Sequence, residues 1–283
     1  MRLLPLLVTS AVLVFSPLLS AAGLIVKKGD TIAFLGDSIT AQGAASSAGY
    51  VRLVASGLAA QGIDVTVIPA GISGHKSDQM LARLESDVLS KKPTWMTLSC
   101  GVNDVWHGAK GVSLEDYKTN IKAILDRCQQ AGVKVVILTS TQIKLPVTSP
   151  ENVKLADYNA FLRDTAKARN LPLADLNVAM AAEQTANPKR VLTVDGVHMN
   201  LYGNLMMAKG VLGAFGLNDK QLAAVNTSWM NQPDLYQSGA KIKLSLNELA
   251  ALEAVAAKQN KSVDALITDI STAAVKATLP AGK

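Results

Sequence analysis

Short apolar runs rich in β-branched residues alternate along the chain with longer segments of helical period. The runs are TIAFL (31–35), DVTVIP (64–69), TWMTLS (94–99), VKVVILTST (133–141) and a weaker LPLADL (171–176). Continuous apolar strands separated by helices mark a parallel sheet buried on both faces. The helical pattern covers Tyr50 to Ala60, Ser77 to Leu89, Leu114 to Gln130 and Val153 to Ala168, with a last helix starting around Tyr202. In the third of these, Ile121, Ile124, Leu125 and Cys128 fall on one face, and Gly132 stands where a C-terminal cap belongs. The order predicts a three-layer α/β/α sandwich with a central parallel sheet and right-handed crossovers. Functional groups should then gather beyond the carboxyl ends of the strands.

Both ends of the chain depart from this pattern. Residues 1–22 carry Arg2, an apolar stretch broken by Thr9, Ser10 and Ser16, and a small-residue finish at Ser20-Ala21-Ala22, the layout of a cleavable secretory signal. The stretch is shorter than the roughly 20 residues of a spanning helix, and no Cys follows the cleavage point to take a lipid, so export to the periplasm or beyond, with no lasting membrane anchor, is expected. The α/β pattern ends near Phe215-Gly216, which gives a main domain over 23–216 and a helical extension over 217–283. In that extension Ile242, Leu244 and Leu246 alternate as in a strand, Ser245 with Glu248 forms a capping-box signature, and Ser262 can cap a second helix bearing Val263, Leu266, Ile267 and Ile270. The strand-helix-helix order resembles ribbon-helix-helix modules, which dimerise through their strands; a helical hairpin packed on its own main domain is the alternative.

Composition narrows the function. The 283 residues are 49% hydrophobic and 18% charged with a net charge of +6, enough for a sizeable core. The basic residues are scattered, with no aromatic-interleaved basic stripe, which disfavours nucleic acid as a partner. Cys100 closes a strand, whereas Cys128 lies near the far end of the next helix, so the pair is too far apart for a disulfide and two free thiols are expected.

The residues just after each strand supply the chemistry. They are Gly36-Asp37-Ser38, Ala70-Gly71-Ile72-Ser73-Gly74-His75, Cys100-Gly101-Val102-Asn103-Asp104 and, before the last helix, Val194-Asp195-Gly196-Val197-His198. Serine-dependent acyl transfer needs a nucleophile, a base, a group that orients the base, and donors for an oxyanion. Ser38, His198 and Asp195 are candidates for the first three roles. The backbone N–H groups of Ser38 and Gly74 and the side-chain amide of Asn103 are candidates for the last. Asp37 is expected to bond local backbone N–H groups and shape the turn. His75, Trp106 and His107 are candidates for lining the substrate pocket.

With these four segments in this order, the sequence resembles the SGNH, or GDSL-like, hydrolase superfamily. FLGDSIT corresponds to its first block, AGISGHKSDQMLARL to its glycine block, GVND to its asparagine block and DGVH to its terminal Asp-x-x-His block. The resemblance spans about Thr31 to Gly203. It implies a flavodoxin-like SGNH fold, Ser38 as nucleophile, Asp195 and His198 completing a triad, and Ser38, Gly74 and Asn103 as the oxyanion hole. His75-Lys76, where many relatives carry Asp-Thr, leaves substrate preference open.

Rival readings explain less. A flavodoxin-like phosphate-binding module gives Asn103, Asp195 and His198 no purpose, and an aspartyl phosphatase would want an acid where Ile39 stands. An α/β-hydrolase would carry a G-x-S-x-G elbow, which the chain lacks. No histidine pair has metal-site spacing, so neither metal nor cofactor is expected. The expected activity is hydrolysis of short acyl esters, O-acetyl groups on a carbohydrate above all. A lysophospholipase or thioesterase type of acyl hydrolase is the alternative, and a non-catalytic saccharide-binding protein of the same fold the third reading.

Overall fold

A computed structural model describes residues 23–232, 242 and 244–280; the expected signal segment lies outside them. In chain order the elements are β1 (Thr31–Gly36), α1 (Ser38–Ala45), α2 (Tyr50–Ala59), β2 (Thr66–Gly71), α3 (Ser77–Ala82), α4 (Leu84–Asp87), β3 (Trp95–Ser99), α5 (Val102–Trp106), α6 (Leu114–Gln130), β4 (Lys134–Leu138), α7 (Pro150–Ala168), β5 (Leu173–Ala174), α8 (Leu176–Ala186), α9 (Leu201–Ala214) and α10 (Asp219–Met230). A separate unit holds α11 (Leu246–Lys258) and α12 (Val263–Thr278).

The five strands form one parallel sheet in the order β2-β1-β3-β4-β5. Thr31 pairs with Thr66, Ile32 with Trp95, Trp95 with Lys134 and Ile137 with Leu173. The strand order reverses direction at β1 and β3, which leaves a crevice at their carboxyl ends where doubly wound sheets bind ligands. β3 is the central strand with β1 beside it, and Ile32 to Gly36 and Trp95 to Ser99 are buried throughout. Their largely apolar character follows from cover on both faces.

Local chemistry explains the helix ends. Ser113 caps α6 by accepting from the N–H of Asp116, and Gly132, with φ of 73°, terminates it after Ala131. Ser149 caps α7, in which Pro150 occupies the first helical position. The α6 face expected from the pattern is buried, and Cys100 and Cys128 are free and buried. The segment read as one helix over 77–89 is broken at Arg83, whose φ of −98° and ψ of 3° end α3 and begin α4.

Helix α10, which follows the expected boundary at Gly216, belongs to the first compact unit. The physical reason is how α10 packs. Its Trp229 is buried, stands close to Gly57 of α2 and donates from Nε1 to Ser56 Oγ at 3.1 Å, while Val225 packs in the same core. In the second unit, Ser245 and Glu248 make a reciprocal capping box on α11 and Ser262 caps α12. Leu246, expected to close an alternating strand, is instead the first residue of α11, because Ser245 initiates the helix. Of the remaining strand positions, Lys241 and Lys243 lie outside the described residues.

Candidate functional site

Ser38 is not in a turn but is the first residue of α1, directly after β1 and capped by Asp37. Asp37 Oδ1 accepts from the Ile39 N–H at 2.9 Å, so its side chain points into the protein while Ser38 points away. The first N–H groups of a helix have no partner within it, and here that of Ser38 is one of them. Asp37 is only 2% exposed, and burial pushes its carboxyl up to about 6, with Asp104 adding to the rise and the Ile39 N–H and His198 opposing it.

The loop between α8 and α9 brings His198 to Ser38. Thr193 and Met199 bridge across its neck, and Asp195 Oδ1 accepts from the backbone N–H groups of Val197 at 3.0 Å and His198 at 2.8 Å. This Asx turn folds the intervening residues so that Asp195 Oδ2 lies 2.6 Å from His198 Nδ1. His198 Nε2 then lies 2.9 Å from Ser38 Oγ. The His198 contact, with the two backbone donors, holds the Asp195 carboxyl down at about 2. An ionised Asp195 therefore persists across the neutral range, and it fixes a proton on Nδ1 of neutral His198, leaving Nε2 as an acceptor for the Ser38 hydroxyl.

The two glycine-block residues divide their work. A side chain at Gly71 would overlap the backbone of Thr40 and Ala41, so this glycine permits β2 to pack on α1. Gly74 has φ of 78° with open space around its Cα, and among the described residues its N–H meets no acceptor. Asn103, on α5 after β3, is 4% exposed and donates one amide proton to the His75 carbonyl at 3.1 Å; its second has no partner among the described residues. Beneath it, buried Asp104 accepts from the Ser77 N–H at 3.0 Å and from the Ser77 hydroxyl, tying α5 to α3.

The three pocket candidates fare differently. Trp106 is half-buried with Lys144 Nζ 6.0 Å from its ring centre, and His107 is exposed beside it. His75 is half-buried, its Nδ1 accepting from Arg83 Nε at 3.1 Å; burial, then the Arg83 charge, lowers its pKa. Arg83 falls within the glycine block, but its position in the middle of a helical pattern gave it no role of its own. Among the described residues no group of three His, Cys, Asp or Glu could hold a metal ion, and no helix is long and apolar enough to cross a membrane.

Comparison with known proteins agrees with this frame. Residues 34–205 match the model of the GDSL-like Lipase/Acylhydrolase family. An acetylxylan esterase of Geobacillus stearothermophilus is 26% identical over 207 residues, covering 66% of this chain and 94% of that protein. Thioesterase 1/protease 1/lysophospholipase L1 of Escherichia coli strain K12 is 27% identical over 172 residues, covering 60% of this chain and 76% of that protein. The crystal structure of an acetyl xylan esterase, AlAXEase, superposes with a TM-score of 0.61 at 31% identity, covering 65% of this chain and 98% of that one. With the family model spanning more than half of the sequence and the sheet order in place, the chain belongs to the GDSL-like lipase/acylhydrolase family of SGNH hydrolases and is a carboxylic ester hydrolase.

Proposed function

We propose that this hydrolase is an exported serine esterase that removes short acyl groups, O-acetyl groups on a carbohydrate above all, through an acyl-enzyme on Ser38. The observation that carries the reading is the continuous chain from Asp195 Oδ2 through the His198 ring to Ser38 Oγ, with links of 2.6 and 2.9 Å. His198 Nε2 takes the hydroxyl proton as Ser38 Oγ attacks the ester carbonyl. Asp195 stabilises the imidazolium that forms. The Ser38 and Gly74 N–H groups and the second Asn103 amide proton receive the oxyanion. His198 returns its proton to the leaving alcohol, then activates water to release the acid and free Ser38.

The carbohydrate assignment rests on the two acetylxylan esterase relatives and on Trp106, whose half-buried face beside the Asn103 helix suits a pyranose ring. The thioesterase and lysophospholipase relative supports a second reading, with a thioester or lysophospholipid as the acyl donor. Export rests on residues 1–22, and self-pairing through the C-terminal unit on its exposed Ile270 and Val275. Cell fractionation and light scattering of the mature protein test these two points; a cytoplasmic protein or a monomer refutes them.

The deciding assay is release of p-nitrophenol from its acetate ester by wild type, Ser38→Ala and His198→Ala. Loss of turnover in both is expected, and undiminished activity in either refutes the assignment. Acetylated xylan against long-chain acyl esters then separates the substrate classes, with preference for the long chains supporting the second reading.

A further inference from the structure

We infer that Arg83 is the positioning residue of the oxyanion site: one guanidinium fastens the segments that carry two of the three proposed donors and, through His75, reaches the third. The inference rests on the proposed roles of Ser38, Gly74 and Asn103 and adds the group that sets their spacing. Arg83 stands at the break between α3 and α4 with its side chain 10% exposed. Its Nη2 donates to the Gly36 carbonyl at 2.8 Å, two residues before Ser38. Its Nη1 donates to the Ala70 carbonyl at 2.9 Å, where the chain enters the glycine block, and to Asp87 Oδ2 at 2.9 Å. Its Nε donates to His75 Nδ1 at 3.1 Å, just past Gly74. Gly74 is thus held between two anchors of a single planar group, and the loop between them adds one bond of its own, from His75 N–H to the Ile72 carbonyl at 3.2 Å.

The third donor is reached through His75. The His75 carbonyl accepts from Asn103 Nδ2 at 3.1 Å, which fixes the amide plane and so the direction of its second proton. Displacing His75 by loss of Arg83 would therefore turn Asn103 as well as Gly74. The Gly36 carbonyl also accepts from the Ile72 N–H at 3.1 Å, so the β1 and β2 ends meet at the same guanidinium. A fork with five fixed donors can bridge these acceptors at once, whereas a lysine ammonium cannot reproduce its plane. The effect should appear in the transition state, because oxyanion donors act on charge that develops there, and misplacement by about an ångström can lower the rate by about 10²-fold.

The test is p-nitrophenyl acetate kinetics on Arg83→Met and Arg83→Lys beside Ser38→Ala and Arg163→Met. Arg163 supplies a matched control: it forms a bidentate ion pair with Asp175, at 2.7 and 3.0 Å, unconnected to the proposed donors. In both Arg83 variants kcat should fall roughly 10- to 100-fold with KM within about threefold, a loss of transition-state rather than ground-state binding. Inhibition by a boronic acid, which forms a tetrahedral adduct on serine, should weaken by the same factor. Arg163→Met should lose thermal stability yet keep kcat within about twofold. If Arg83→Met fails to fold, Arg83→Lys alone decides. A foldable Arg83 variant with kcat and boronate affinity near wild type, or with losses no greater than those of Arg163→Met, overturns the inference while an inactive Ser38→Ala upholds the serine mechanism. An active Ser38→Ala overturns the mechanism itself, and the inference with it.

Discussion

Asp37 sets stability and activity against each other, and Asp37→Asn should expose the conflict. The carboxyl is fully enclosed beneath α1, close enough to buried Asp104 for the two charges to repel, and it titrates near 6 in the folded protein instead of 3.8. Ionised Asp37 is thus disfavoured in the fold by about 3 kcal/mol relative to the unfolded chain. The sign follows from proton counting. Below 3.8 both states hold the proton and nothing is lost; between 3.8 and about 6 the folded state holds more protons, so stability declines as pH rises. Above 6 the whole penalty is present. Asparagine keeps the oxygen that accepts from the Ile39 N–H, and the two residues are near-equal helix caps, so the substitution removes the charge and little else.

The variant should therefore be more stable than wild type at pH 8 by up to about 3 kcal/mol, with the gain shrinking toward zero as pH approaches 4. Urea unfolding at pH 8, 6 and 4, with equal m values for both proteins, measures it. A variant no more stable at pH 8, or one whose advantage persists undiminished at pH 4, refutes the burial argument. The charge has a counterpart in turnover. The Asp37 carboxylate attracts charged His198, the state formed in acyl transfer, so the stabilised variant should have a lower kcat.

Other outcomes follow from the same geometry. Asn103→Ala should lower kcat roughly 10² to 10³-fold on aryl acetates, as loss of one oxyanion donor does elsewhere; a change confined to KM would remove Asn103 from that role. The Cys100 thiol is pushed well above its usual range and that of Cys128 up to about 12, both by burial, so a disulfide-exchange reagent should find neither thiol in the folded protein and two after denaturation; a thiol titrated before unfolding contradicts the packing. Trp229→Ala should destabilise the hydrolase unit by about 3 to 5 kcal/mol, read from the thermal midpoint and denaturant unfolding, and a change below about 1 kcal/mol would show α10 to be dispensable.

The sheet was legible because its inner strands, β1, β3 and β4, are buried almost throughout and so write largely apolar runs. α6 was legible to the residue because a serine cap and a Gly132 stop bracket a face with helical period. α1 was not: SITAQGAA has no clear apolar stripe, and its helical start depends on Asp37 turning its carboxylate back to Ile39, a contact that pattern does not record. α10 was placed outside the main domain because only Val225 and Trp229 are buried along it, too few to signal that α2 has a small residue, Gly57, under the tryptophan. At the candidate site, Ser38, Gly74, Asn103, Asp195 and His198 were singled out by their positions after strands and by Asp-x-x-His spacing, and the structure brings Ser38, His198 and Asp195 within hydrogen-bond reach of one another. Arg83 lies within the glycine block, but its role there was not legible: besides Asp87, four residues on, its partners are two carbonyls and a ring nitrogen of other segments, and such contacts leave no period.

The four segments are each held in place before any substrate arrives, and by different means. Ser38 is set by a helix cap, Gly74 by the Arg83 fork, Asn103 by the His75 carbonyl and the Asp104–Ser77 contact below it, and His198 by the Asp195 turn and the Thr193–Met199 bridge. The first three are anchored to β1, β2 and β3, whose registers are locked by parallel pairing. The fourth is not part of the sheet. Its added tie is the Lys144 N–H donating to the Gly196 carbonyl at 2.6 Å, from a residue itself held at φ of 59°, and the side chain of Asp195 remains about half exposed. Local opening should concentrate where few buried contacts resist it, so the Asp195–His198 loop should exchange amide hydrogens before the Ser38, Gly74 and Asn103 segments do. Residues that tune that loop, Lys144 and Thr193 first, would then govern how often His198 stands within reach of Ser38. Protection of the Val197 and His198 amides equal to that of the β1 amides would show instead that the site opens only with the whole fold.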